Sequence, residues 1–565
     1  MEYKWTVLTN TTLGVVMSAL NANIVMISLP TIFRGLGINP FAPGEFIYLL
    51  WILMGYGIVL ATVLVTFGRL SDMFGRVRLY TVGFAIFTIA SILLSIVPDN
   101  SGNTGALLLI IFRMVQAVGG GLLMVNSTAL LTDTFPIKER GEALGLNQSA
   151  FIAGSVLGLI AGGLLASYNW HLVFIVNIPF ALAGMIWSIV KLNRNYEKKN
   201  VKIDYWSNIT LAIALVLISL GFTYVLVPYG TNTMGWHSPW VIASFVLGLL
   251  FIGLFVYAEK RVVAPLFNLA LFKIRAFSFG NIALFFNTLA RGAVMFLVII
   301  WLQGIYLPLH GYPYTSAPFW AGVYLLPLMI GMVIIAPISG HLTDKYGARL
   351  FATSGMLIVA LSLFLLLFLP YNFDLLAFEP IIFLNGLGNG FFASPNTTAI
   401  MNSISSEERG TGNGMRMTLS NIGSTISMAI FFSITITVFS QSVPGAMYAA
   451  AIKIAPQQIA TQLSQLSPSG LLFAAFLGVD PLAAIKSSNL PQSTLAALSS
   501  HEFLPSIIGT PFIDGLRYSL YISIVLILIG TLFSALRGRR YVHEEDGALK
   551  NEIEAGSFRE HGLGQ

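Results

Sequence analysis

The sequence predicts an all-α membrane protein with fourteen transmembrane helices. They are ordered as six, two and six, the two sets of six forming parallel pseudo-repeats. Three observations carry this prediction. The 565 residues are 56% hydrophobic and only 10% charged, whereas a soluble domain carries roughly 25% charge. Fourteen apolar runs reach the length of about 18 residues that lets a helix cross the hydrocarbon core. A set of short motifs in the first half returns, in order, in the second.

The first six runs lie at 8–33, 46–67, 79–97, 106–132, 142–166 and 171–191. Two follow at 205–226 and 239–258, and the last six at 277–304, 318–340, 350–370, 378–403, 410–440 and 515–536. The first run continues from Trp5 past the length of a signal core with no obvious cleavage site, so no cleavable leader is expected. The expected organisation is a six-helix bundle at 1–200, an inserted helix pair at 201–262, a second six-helix bundle at 263–540 and a tail at 541–565. The second bundle holds a loop at 441–513, unusually long for a connection. Its apolar stretch Leu471–Phe476 suggests a lid of short helices resting on the membrane surface, with a tolerated insertion as the alternative. The polar, charged tail is expected to be disordered.

Basic residues decide the topology. Arg69, Arg76 and Arg78 follow helix 2, Lys138 and Arg140 follow helix 4, and Lys191, Arg194, Lys198, Lys199 and Lys202 follow helix 6. The later even-numbered helices are also followed by Lys or Arg, and the odd-numbered ones by almost none. The positive-inside rule then puts both termini in the cytoplasm of a multi-pass cell-membrane protein. The net charge of +6 is thereby absorbed by topology, and no nucleic-acid partner is expected. The chain has no cysteine, which excludes disulfides, thiolate metal sites and cysteine nucleophiles. No Gly-Lys pair occurs, so the phosphate-cradling GxxxxGK[ST] loop of an ATP-driven pump is absent, and the scattered histidines form no HExxH. Neither an enzyme nor a metal or other cofactor is expected.

The repeat is read from three matches. Gly68-Arg-Leu-Ser-Asp-Met-Phe-Gly75 returns as Gly340-His-Leu-Thr-Asp-Lys-Tyr-Gly347, 272 residues on. Asn126-Ser-Thr-Ala-Leu130 returns as Asn396-Thr-Thr-Ala-Ile400 after 270, and Glu139-Arg-Gly141 as Glu408-Arg-Gly410 after 269. A nearly constant offset pairs helices 1–6 with 9–14. The even number of helices between them keeps both copies in one orientation, which is transporter architecture.

The loop from Gly68 through Asp72, Gly75 and Arg76 to Arg78, together with Arg113-Met-Val-Gln116-Ala-Val-Gly119, resembles the signatures of the major facilitator superfamily. More specifically, the chain is similar to its fourteen-helix drug:proton antiporter family, of the multidrug efflux type. Trp51, Tyr56, Trp170 to Pro179, Glu259 with Arg261 and Pro265, and Leu302-Gln303 resemble family positions too. The resemblance covers nearly the whole chain. It implies a cytoplasmic gate at Gly68, Asp72, Gly75 and Arg76, with Asp133 as the partner of Arg76. The second copy supplies Gly340, Asp344, Gly347 and Arg349, its arginine shifted by one place. Physically, Gly68 and Gly75 suit a tight turn, and Asp72 suits a helix cap. Gly154, Gly158, Gly162 and Gly163 on helix 5 suit close helix packing. The corresponding antiporter motif has a proline after its second glycine, where this chain has Leu159.

Ionisable groups at membrane depth are costly and mark function. All 24 acids fall in loops, in tails or within about a turn of an expected helix end; Asp133, Glu142 and Glu379 come nearest the membrane. Arg113, Arg291 and Arg416 lie inside expected helices and are candidate cavity residues, with snorkelling to an interface as the bland alternative. Gln116, Asn21 and Asn23 complete the candidate cavity. The family usually has Asp at the position of Asn21, and an amide cannot bind and release a proton near physiological pH. The repeat offset puts Arg291 near the counterpart of Asn21, which suggests a cavity of positive polarity.

The expected function is secondary active transport by alternating access, exporting hydrophobic or amphiphilic small molecules, with neutral or anionic ones favoured. Proton antiport is implied by the family. An uncoupled facilitator and a transporter-fold sensor are the alternatives. The expected partners are the small-molecule substrate and the lipid bilayer, and the chain is expected to act as a monomer.

Overall fold

The computed structural model describes residues 2–38, 46–192, 205–227, 229–230, 234–261, 269–405, 408–478 and 491–538. Long apolar sequences become helices here because a backbone surrounded by lipid must satisfy its hydrogen bonds within each segment. The first bundle contains α1 (Tyr3–Leu36), α2 (Phe46–Phe74), α3 (Arg76–Ser95), α4 (Gly102–Thr134), α5 (Ile137–Tyr168) and α6 (Leu172–Lys191). The inserted pair is α7 (Tyr205–Val225) and α8 (Pro239–Glu259). The second bundle contains α9 (Arg275–Leu309), α10 (Ala317–Tyr324 and Leu326–Tyr346), α11 (Ala348–Leu366), α12 (Leu375–Asn402), α13 (Arg409–Ala451) and α14 (Phe503–Leu536). Among the described residues thirteen stretches are long and apolar enough to cross a membrane, and α7, with 21 residues, completes the expected fourteen.

Packing repeats with the sequence. In the first bundle α1 packs on α5, α4 and α6, and α4 also packs on α2 and α3. In the second, α9 packs on α13, α12 and α14, and α12 on α10 and α11. Each contact recurs eight helices later. The bundles meet through α2 against α13 and α5 against α10, and a two-fold exchange of the repeats interconverts those two seams. The inserted α7 touches both α2 and α13, while α8 packs on α7 and turns most of its surface outward. The expected boundaries at 200 and 262 fall outside the described residues.

Glycine permits the closest crossings. A Cβ on Gly154, Gly158 or Gly162 would lie 2.5, 2.5 and 2.7 Å from the carbonyl oxygens of Val16, Leu20 and Ile24. That regular register lets α5 lie against the bare backbone of α1. Gly163 faces the other way, onto the backbone of Phe319 in α10, and a Cβ on Gly322 would stand 3.1 Å from the Leu159 carbonyl. In the repeated loops Gly75 and Gly347 have φ of 94° and 83°, a conformation glycine adopts without strain. Gly68 and Gly340, by contrast, lie within α2 and α10 and make no turn. The physical reason at Gly340 is proximity: a Cβ there would approach Ser394 Oγ at 2.8 Å.

The segment 441–513 departs most from expectation. α13 runs on to Ala451 and α14 begins at Phe503, twelve residues before the expected start. At 1.5 Å per residue the 43 residues of α13 span about 65 Å, roughly twice the hydrocarbon core. Asp514 consequently sits eleven residues inside a helix rather than near its end, beside Arg517 at 3.3 Å. Short helices fill the gap at Gln457–Ser464, Pro468–Leu477 and Gln492–Leu498. The apolar one does not rest on a membrane surface. Every residue from Ser469 to Leu477 is buried, packed against α1, the π-helical stretch Trp301–Tyr306 of α9, α13 and α14. Ser467 caps its start and left-handed Gly478 ends it. This helix lies on the side opposite the termini, hereafter the distal side.

Candidate functional site

A cavity of about 480 Å³ lies between the two bundles, within the usual size of small-molecule sites. The first bundle supplies Asn23 and Met26 from α1, Met124 from α4, and Asn147, Gln148 and Phe151 from α5. The second supplies Asn287, Arg291 and Met295 from α9, Met329 and Met332 from α10, Asn385 and Asn389 from α12, and Arg416 and Asn421 from α13. No Asp or Glu is among the lining residues. On α4 and α13 the lining residues belong to the halves nearer the termini and on α5 they centre on its middle, whereas Val359, Leu363 and Leu366 of α11 lie toward its distal end, so the cavity runs from the termini side past mid-depth into the second bundle. Distally the α5–α10 glycine seam and the buried Pro468–Leu477 helix fill the space.

Asn23, Arg291 and Arg416 therefore line the cavity, and Asn21, Arg113 and Gln116 are not among its lining residues. Helical geometry explains the split on α1. Positions two apart point about 200° away from one another, so Asn21 and Asn23 cannot share a face. Asn23 Nδ2 donates to Ala19 O at 3.1 Å and remains partly exposed. Asn21 turns into its own bundle, fully buried, and donates to Gln116 Oε1 at 2.9 Å. Gln116 Nε2 in turn donates to Ser91 Oγ at 2.9 Å. Arg113, 3% exposed, stands over the Tyr56 ring at 4.9 Å, and its Nε and Nη1 have no partner among the described residues. The Tyr56 hydroxyl lies beside Asn21 as well.

On the second wall Asn385 Nδ2 donates to Ser362 Oγ at 2.8 Å, and Asn389 Nδ2 reaches Asn385 Oδ1 at 2.9 Å. Arg416 Nε donates to Asn413 Oδ1 at 3.1 Å and Nη1 to Thr397 Oγ1 at 3.4 Å, which fixes the guanidinium at the wall. Arg291 makes no hydrogen bond or ion pair with another protein group among the described residues. Asn147, Asn287, Asn385 and Asn389 were missed by sequence reasoning that sought charges; the available signal was an amide within an apolar run.

At the termini side, Arg76 pairs with Asp133 and also donates to Ala129 O at 3.2 Å. Both partners belong to the first bundle, so the pair fastens the α2–α3 loop onto α4 and does not cross between bundles. Lys4 pairs with Glu139 at 2.8 Å, tying α1 to α5 within the same bundle. Arg349 is exposed, and the side chains of Asp72, Asp344 and Glu142 lie outside the described residues. Glu379 is partly exposed in the first turns of α12, on the distal side.

Comparison with known proteins places these features in context. The model of the Major Facilitator Superfamily matches residues 11–208 and 203–428. The riboflavin transporter RibZ of Clostridioides difficile is 30% identical over 435 residues, covering 77% of this chain and 88% of its own. Multidrug resistance protein 3 of Bacillus subtilis is 29% identical, with 76% of this chain and 79% of that protein covered. The multidrug transporter protein MdtP of the same organism is 26% identical over 93% of this chain and 92% of its own. Among solved structures, a bacterial homologue of the human lysosomal transporter Spinster, inward-facing and unoccupied, superposes with a TM-score of 0.54. It is 14% identical, with 95% of this chain and 97% of that one covered, and the likeness concerns the fold.

Proposed function

The chain belongs to the major facilitator superfamily, as a multi-pass membrane transporter, and we propose that it is a secondary active exporter of hydrophobic or amphiphilic small molecules, neutral or anionic. The observation that carries this reading is the cavity between the bundles, lined by amides, methionines and arginines, with no acid. Methionine is adaptable and polarisable and suits ligands of varied shape. Missing carboxylates disfavour cations. The names of the multidrug relatives support export of such compounds.

The two exchangeable seams support alternating access. With both termini in the cytoplasm of the cell-membrane protein, the cavity faces inward while the α5–α10 seam closes the distal side. Rocking of the bundles would part that seam and bring the termini-side ends of α4, α5, α12 and α13 together. The paired Arg76 and Asp133 would hold the α2–α3 loop in shape for that closure. One chain supplies both walls, so a monomer suffices, and no ATP or other cofactor is required.

Coupling has two readings with opposite consequences. Proton antiport is what the resemblance to the fourteen-helix drug:proton antiporters implies. Uncoupled facilitation is favoured by Asn21, which cannot exchange a proton, and by the acid-free cavity. Uptake into proteoliposomes under an imposed proton gradient tests both at once. Accumulation above equilibrium that vanishes when the gradient is collapsed supports the antiporter, equilibration at the same rate in both conditions supports the facilitator, and no movement in either refutes transport.

A further inference from the structure

The repeat makes the two walls comparable position by position, and their charges differ systematically. At one offset of 269 the lining residues of the walls coincide: Val15, Ala22, Asn23 and Met26 of α1 fall on Leu284, Arg291, Gly292 and Met295 of α9, so Arg291 corresponds to Ala22 rather than Asn21, and Arg416 on α13 corresponds to Asn147 on α5. Where the first wall has an alanine and an amide, the second has two guanidinium groups. The first bundle's buried Arg113 is directed at Tyr56 and does not contribute to the cavity lining. All positive charge that lines the cavity is thus on the α9–α13 wall.

The two arginines also differ in depth and in attachment. Gly292 meets Ser424 and Ser427, a Cβ there lying 3.1 Å from Ser424 Cα, which sets Arg291 level with that turn of α13. Arg416 is eight residues earlier on the same helix, about 12 Å nearer the termini side at 1.5 Å per residue. Arg416 is braced by Asn413 and Thr397. Arg291, at depth, has no protein acceptor among the described residues, and a cation held inside a membrane protein without a counter-charge is costly. An acceptor brought by the ligand would offset that cost. A guanidinium presents a planar fork of donors matched to a carboxylate or sulfonate.

We propose that the α9–α13 wall is an anion track for amphiphilic monoanions. Arg416 receives the anionic group near the mouth and Arg291 holds it at depth, while Met26, Met124, Met329 and Met332 take the apolar body. The proposal rests on the transporter reading and sharpens it to a ligand class and two residues.

The test uses the full chain in nanodiscs and a matched probe pair, pyrenebutyrate and its neutral amide, titrated by fluorescence. The wild type is expected to bind the acid at least about tenfold more tightly than the amide, about 1.4 kcal/mol. Arg291→Gln should bring that ratio near one with the amide affinity kept, and Arg291→Lys should retain part of the preference. Arg416→Gln should slow binding of the acid several-fold and leave that of the amide unchanged. Equal affinities in the wild type, or an unaltered ratio in Arg291→Gln, overturn the proposal. If Arg291→Gln does not fold, the Arg291→Lys ratio and the Arg416→Gln rates decide, and wild-type values in both overturn it. Transport of the amide by wild-type proteoliposomes keeps the transporter reading even when the ratio is one. Transport of neither probe, nor of neutral drugs, removes both readings together.

Discussion

Gln116 Nε2 donates to Ser91 Oγ at 2.9 Å, and the same bridge recurs as Asn385 Nδ2 to Ser362 Oγ at 2.8 Å. Both join the third and fourth helices of a bundle, with all four side chains buried. Removing the hydroxyl strands a buried amide donor, a loss of about 1–3 kcal/mol. Ser91→Ala and Ser362→Ala should therefore each lower the thermal midpoint in detergent, by similar amounts, since each leaves one donor unpaired. A fall for one and none for the other would show that the repeats share geometry without sharing energetics.

Asn21→Asp should place a carboxylate next to the Tyr56 hydroxyl, over whose ring Arg113 stands with two unpartnered nitrogens. Gln116 can turn its amide to donate to the new acid and accept from Ser91, so the network survives the change. The variant is expected to keep its thermal midpoint and to gain transport that responds to a proton gradient. Measurement in proteoliposomes with and without the gradient checks this. A large drop in midpoint with no gradient response would place Arg113 too far away to serve as counter-charge.

The glycine register of α5 makes a sharper demand. Gly158→Ala puts a Cβ 2.5 Å from Leu20 O, a separation that backbone must relieve by moving. Since α1 lies against α5 along this whole seam, the variant should lose folded yield and monodispersity. Gly253→Ala on α8 meets nothing within 4 Å and should be neutral or stabilising by helix propensity. Size-exclusion profiles of the two variants compare them directly, and equal profiles would remove the close-packing argument.

The number of spans, the order of the repeat and the positive φ at Gly75 were legible because length, self-similarity and glycine are local signals, whereas the same signal misled at Gly68, which lies inside α2. The partner of Arg76 was legible through resemblance, and Asp133 meets it. Facing was not legible. A helix apolar all round has no stripe to say which side packs inward, so Asn21, Arg113 and Gln116 read as cavity residues while the structure turns them into the first bundle. The ends of α13 and α14 were equally hidden, because the Ala- and Ser-rich sequence after Gln441 looks like a loop until its helix has something to pack against.

That something includes the Pro468–Leu477 helix, and its attachment predicts how it behaves during transport. Phe476 meets Phe296 with ring centroids 5.9 Å apart, and Phe473 meets Phe432 at 5.4 Å. Both partners belong to the second bundle, and α1 is the one first-bundle helix among its main contacts. The helix should therefore ride with the second bundle and part from α1 when the distal side opens. A Cβ on Gly304 would lie 3.3 Å from Phe476 Cα, and the chain has no cysteine to interfere. Oxidising a Gly304→Cys, Phe476→Cys double variant should lock the helix onto α9 and leave transport within about twofold of the reduced form. Transport abolished by oxidation and restored by a reductant would mean instead that the helix leaves α9 in every cycle.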